Sequence, residues 1–168
     1  MYQTGDKVFY GIHGVCAVVD RERRIVDRKE IVYLVLEPLT QQGARYLVPA
    51  HNEVAMRKLQ PLLTRDAYDE MLSSDEIRAD CWIHADSLRK QRYRELLGIA
   101  DRKLLLQMLF SLHRYCKLQI AAGKKIHMCD DAFRQDAEKL LSSELSVILD
   151  VSVNDARQYL LDKIKEDA

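Results

Sequence analysis

Near residue 62 the chain changes the spacing of its apolar residues, and no other feature constrains the fold as strongly. Before that point, short apolar runs are separated by tight turns. Asp6-Lys7-Val8-Phe9-Tyr10 is followed, across a connection containing Gly11 and Gly14, by Val15-Cys16-Ala17-Val18-Val19. Arg24-Ile25-Val26 leads through a polar turn at Asp27-Arg28-Lys29 into Ile31-Val32-Tyr33-Leu34-Val35-Leu36. Gln41-Gln42-Gly43 then turns the chain into Tyr46-Leu47-Val48, with Gly43 free to take a positive φ and Pro49 ending the ladder. Strands this short, joined this tightly, predict a small antiparallel barrel.

From Thr64 onward glycine nearly vanishes and apolar positions recur every three or four residues. Thr64 is placed to cap a helix through Met71, with Asp66 in its first turn. A second helix is predicted over 87–97, stopping at Gly98. A third begins at Asp101 and runs to Ala122, before Gly123, with Leu105, Met108, Leu109, Leu112, Cys116 and Ile120 as its apolar stripe. A fourth covers 131–149 with Phe133, Ala137, Leu140, Leu141, Leu145 and Ile148 on one side. Ser152 and Asp155 open a short last helix bearing Leu160, Leu161 and Ile164. The predicted class is α+β: a barrel over residues 1–62 and an all-α bundle over residues 63–168.

The formal net charge is zero, but the charges are sorted into blocks. From Asp66 to Asp86 seven acids face one base, Arg78. Between Ser87 and Lys125 stand ten bases (Arg89, Lys90, Arg92, Arg94, Arg102, Lys103, Arg114, Lys117, Lys124 and Lys125) against Glu95 and Asp101. From Ile126 on, five bases meet ten acids. A cationic island is the electrostatic footprint of a polyanion partner, and the competing reading is neutralisation by the acidic blocks on either side. On a helix Arg89/Arg92 and Lys90/Arg94 are like-charged neighbours, costing about 0.2–0.5 kcal/mol per pair, an arrangement that favours an external anion. Trp82, the only tryptophan, stands at the island's leading edge among mostly polar neighbours.

Several classes of function recede. No run of about 18 apolar residues is present to span a membrane. The opening residues show no basic or apolar signal region, so cytoplasmic placement with reduced thiols at Cys16, Cys81, Cys116 and Cys129 is expected. His113-x-x-Cys116 and His127-x-Cys129 lack the paired spacing of zinc sites, and Cys116 lies on an apolar stripe, so no metal and no cofactor is expected. Neither a phosphate-binding loop nor a G-x-S-x-G elbow occurs, and His13 reads as a turn residue tied by hydrogen bonding, not as a general base. An enzyme is not expected.

The segment Gly5-Asp6-Lys7-Val8-Phe9-Tyr10-Gly11-Ile12-His13-Gly14-Val15 resembles the opening of the CarD/CdnL family of bacterial transcription regulators, where a G-D-x-V-x-Y-x-x-H-G pattern starts a Tudor-like (SH3-like) barrel. Tyr33-Leu34-Val35-Leu36 and Val48-Pro49 match in kind and spacing. Arg89-Lys90-Gln91-Arg92-Tyr93, Asp101 and Lys139-Leu140-Leu141-Ser142-Ser143-Glu144-Leu145 resemble the family's helical domain. The first half is also similar to the polymerase-interaction module of transcription-repair coupling factors. The resemblance implies that residues 1–62 dock on the RNA polymerase β subunit. It implies that residues 63–168 meet promoter DNA at the upstream edge of the bubble, where a tryptophan wedges into the minor groove and holds the open complex. The implied DNA-binding residues are Trp82, Arg89, Lys90, Arg92 and Arg94. On the polymerase side the resemblance implies Arg24; an exposed edge strand adds Arg23 and Ile25 as expected contacts, and Arg45 is expected to compensate for a family arginine whose position Leu47 occupies. Gly11 stands where the family usually has proline, and Trp82 lies about one helical turn farther from the basic run than in the family. A monomer is expected, and the runner-up is an adaptor whose bundle binds protein instead of DNA.

Overall fold

The computed structural model describes residues 2–167 and falls into two compact units, Met1–Leu62 and Leu63–Ala168. The first holds five antiparallel strands: β1 (Lys7–Tyr10), β2 (Val15–Val26), β3 (Lys29–Pro38), β4 (Tyr46–Pro49) and β5 (Leu59–Pro61), in the order β4-β3-β2-β1-β5. A single helical turn, α1 (Glu53–Met56), precedes β5 and is capped by Asn52, whose Oδ1 accepts from the Ala55 N–H at 3.1 Å. The register Val8↔Cys16, Val18↔Leu36 and Leu34↔Val48 gathers alternate side chains into one core, completed by Leu59.

Two features of this sheet differ from the reading of the sequence. Residues 15–26 form one strand through the charged stretch 20–24, because cross-strand backbone bonds to β3 sustain β2 beyond the core. A register shift between Val18 and Asp20 marks a bulge there. At the tip, Asp27 and Arg28 take φ values of 50° and 62°, the paired left-handed residues of a two-residue hairpin turn. The short β5, ending in proline, carried no signal strong enough to be foreseen.

The second unit contains α2 (Arg65–Ser73), α3 (Asp75–Arg78), α4 (Asp86–Ile99), α5 (Arg102–Ala121), α6 (Met128–Leu149) and α7 (Val153–Asp167). Three predicted caps are in place. Thr64 Oγ1 accepts from Ala67 N–H, Asp101 Oδ1 from Leu104 N–H, and Ser152 Oγ from Asp155 N–H. Gly98 is not a stop. It lies inside α4, which ends at the fully buried Ala100, φ 55°. The α5 stripe is buried from Leu105 through Cys116, whereas Ile120 is 65% exposed. No helix among the described residues is long and apolar enough to cross a membrane.

Buried carboxylates tie these helices together. Glu144 on α6 accepts Nε and Nη2 of Arg102 at 2.9 Å each, the Leu63 N–H at 2.9 Å and the Tyr68 hydroxyl at 3.0 Å. Glu138, two helical turns earlier, accepts from Arg134 at 2.6 Å and from Arg157 of α7 at 2.7 Å, with His113 Nε2 of α5 at 3.0 Å. Burial alone would raise the Glu138 pKa, but the hydrogen bonds from His113 and Arg157 and the charge of Arg134 bring it from 4.5 down to about 2. A depressed folded-state pKa confers stability above the unfolded value that is lost as pH falls through the folded one. Between pH 4.5 and about 2 this group should therefore forfeit on the order of 3 kcal/mol. Urea unfolding at several pH values should show Glu138→Gln well below the wild type at pH 6, with the gap closing as pH approaches 2.

Candidate nucleic-acid interface

Residues 79–85, between α3 and α4, carry Trp82 and run along α5. Cys81 Sγ donates to the Gln107 carbonyl at 3.6 Å, Ser111 Oγ to Asp80 Oδ1 at 3.3 Å, and the Trp82 N–H to that same oxygen at 3.0 Å. The indole is thereby delivered onto Tyr115 of α5, ring centroids 3.5 Å apart and planes inclined by 17°. The Arg89 guanidinium lies 4.3 Å from the centroid of the indole. A stacked ring and a cation–π contact together define one ring orientation.

Of the expected DNA-contacting set, Arg89 is the one whose side chain turns inward. It is 2% exposed and pairs through Nε and Nη2 with both oxygens of the fully buried Asp130 at 2.9 Å. Nη2 also donates to Asp86, and Nη1 to the carbonyls of Ile83 and His84. Its donors are thus committed within the helical unit, with the guanidinium held against the Trp82 indole. The physical reason is the face of α4 it occupies, the one that also buries Tyr93, Leu96 and Leu97.

The other three bases remain toward solvent. Arg92 and Arg94 are exposed and Lys90 is half-buried. Lys90 and Arg94 stand one turn apart on one side of α4, while Arg92 is displaced by about 200° around the axis from either. Arg92 reaches Glu95 at 3.5 Å, and Lys90 and Arg94 make no ion pair among the described residues. Part of the cationic island is satisfied internally: Arg89 by Asp86 and Asp130, Arg102 by Glu144, and Lys103 by Glu76. Tyr115 and Asp130 escaped the reading of the sequence. Nothing local links Asp130 to Arg89 across 41 residues of separation, and Tyr115 sits next to the buried Cys116 on an ordinary apolar helix.

In the first unit, β1 pairs with β2 only as far as Ala17, so the β2 edge from Glu22 to Val26 carries no ladder partner among the described residues. Arg23, Arg24 and Ile25 lie on that edge. Ile25 is 81% exposed, Arg23 reaches Glu30 at 3.4 Å, and Arg24 bonds Glu22 at 2.6 Å. Arg45, beyond the end of β3, pairs with Glu37 at 2.7 Å. These ion pairs are exposed, are worth about 0–1 kcal/mol each, and exchange readily for another anion. His13 is held by rings instead of the hydrogen bond expected of it. Its centroid lies 3.9 Å from that of Tyr46 and 5.2 Å from that of Tyr10.

Residues 2–60 match the profile of the CarD-like/TRCF RID domain, consistent with the CarD/CdnL family. No curated protein matches the chain.

Because Trp82 is the sole tryptophan, its emission reports the stack directly. Tyr115→Ala should shift that emission to longer wavelength and increase its quenching by acrylamide, while the circular dichroism melt changes little. An unchanged spectrum would mean that Tyr115 does not hold the indole.

Proposed function

We propose that this protein regulates transcription initiation, with the CarD-like/TRCF RID domain at residues 2–60 docking on the RNA polymerase β subunit. The helical unit contacts promoter DNA at the upstream edge of the bubble and stabilises the open complex. The observation carrying this reading is Trp82, held by contacts with Tyr115 and Arg89 just before a helix that presents Lys90 and Arg94 to solvent.

Inserting a side chain between base steps costs a few kcal/mol of unstacking, less where the duplex has already melted. An indole that keeps one orientation loses little conformational freedom on contact. Held by a stacked ring and a guanidinium, it is the aromatic surface offered to a strand fork. Lys90 and Arg94 then supply phosphate contacts, which position the unit without reading sequence. Docking through the RID domain raises the effective concentration of the helical unit near DNA to about the millimolar range, so weak contacts suffice. On the polymerase side, the unpaired β2 edge invites strand addition, with Arg23, Arg24 and Ile25 at the contact and Arg45 near the end of β3.

Trp82→Ala should leave polymerase binding intact and shorten open-complex lifetime severalfold in a competitor-challenge assay. A lifetime equal to wild type would reject the wedge, and binding of the helical unit to a protein without retention of melted promoter fragments would favour the adaptor. Arg24→Glu should weaken polymerase pull-down without altering affinity for free DNA.

A further inference from the structure

Where α6 and the start of α7 pack together, a hollow of about 410 Å³ stands apart from the residues proposed to contact DNA and polymerase. Clefts of this size take small ligands. From α6 it is lined by Gln135, Asp136, Lys139 and Ser142, and from α7 by Val153 and Arg157, one turn apart. Val153 alone of these is apolar, so the ligand that fits is polar.

Two opposite charges line it unanswered. Asp136 and Lys139 are exposed and stand three residues apart on α6, a spacing of about 5–6 Å between Cβ atoms. Neither pairs with the other or with any described residue. The neighbouring acids are already taken: Asp131 by Arg134 and Gln135, Glu138 by Arg134 and Arg157, and Asp155 by the Ser152 hydroxyl. A ligand with a single charge leaves one lining charge without a partner. A molecule bearing both signs on neighbouring atoms answers each.

At the inner side of the hollow Ser142 is fully buried, and its hydroxyl has no hydrogen-bond partner. A buried hydroxyl left unpaired is costly, and it gains from any ligand atom that donates or accepts. Arg157 gives Nε and Nη2 to Glu138, and Gln135 gives Nε2 to Asp131. That leaves Arg157 Nη1 as a donor and Gln135 Oε1 as an acceptor. A hydroxyl, a donor and an acceptor together complement a primary amide, which offers a carbonyl oxygen and two N–H bonds.

We infer that this hollow binds a free α-amino acid with a side-chain amide. The ligand's carboxylate meets Lys139, its ammonium meets Asp136, and its amide turns toward Ser142, Arg157 and Gln135. This site is independent of the DNA-contact and polymerase-contact readings above.

The test titrates glutamine into the full chain, followed by nuclear magnetic resonance of its nitrogen-labelled amides. Three analogues each remove one group: glutaramate lacks the ammonium, 4-aminobutanamide the carboxylate, and norleucine the amide. Glutamine should saturate, moving the Lys139, Ser142 and Val153 amide signals, with each analogue at least tenfold weaker. Asp136→Asn and Lys139→Met alter exposed positions and should preserve the thermal melt while each weakens glutamine at least tenfold. Ser142→Ala removes only the unpaired hydroxyl, so the melt should hold or rise while glutamine binds severalfold more weakly. Norleucine or 4-aminobutanamide binding as tightly as glutamine, undiminished binding to any of the three variants, or no saturation at millimolar glutamine would each overturn the assignment.

Discussion

A carboxylate taken fully out of water must find partners for its oxygens, and leaving one unpaired costs several kcal/mol. Glu144 meets that demand with two bonds from Arg102, one from the Tyr68 hydroxyl and one from the Leu63 amide. Those partners come from the start of α5, from α2 and from the residue that opens the helical unit. The whole arrangement is over-determined. No one of these elements can shift without stranding a buried charge, so their mutual placement is set by chemistry more directional than apolar packing.

The same device recurs along α6. Asp130 takes Arg89 of α4, Glu138 takes His113 of α5 and Arg157 of α7, and Glu144 takes Arg102. One helix thus supplies the acids for these ties, and its neighbours bring a base to each. The Asp130 pair has a further effect, because the guanidinium it orients is the one beneath the indole. A structural ion pair and the candidate interface therefore share an atom group, and the chain's blockwise charge serves both. Some bases of the island close internal contacts, while Lys90 and Arg94 remain to face an outside partner.

The switch from alternating to helical spacing near residue 62 was plain in the sequence, as were the caps at Thr64, Asp101 and Ser152, since each rests on residues a few positions apart. The polar hairpin tip at Asp27 was legible for the same reason. The burial of Arg89 was not legible because helical periodicity records which positions share a face, and a guanidinium on the buried face looks like any other base until its partner is found. That partner, Asp130, lies in a different charge block. The Gly98 stop failed because Ala100, small and buried, accepts a left-handed conformation that packing compensates. Tyr115 gave no signal because stacking needs a loop to bring Trp82 across, and the path of residues 79–85 is set by scattered hydrogen bonds.

Only Ala100 and Asp101 separate α4 from α5, the first in a left-handed turn and the second capping the next helix. So short a corner has no slack, and the azimuth of α4 is geared to that of α5. One added residue on the α4 side of the corner would swing that helix by about 100°, drawing Arg89 off both Asp130 and the Trp82 indole. Along this stretch the protein can accept changes of letter far more easily than changes of length.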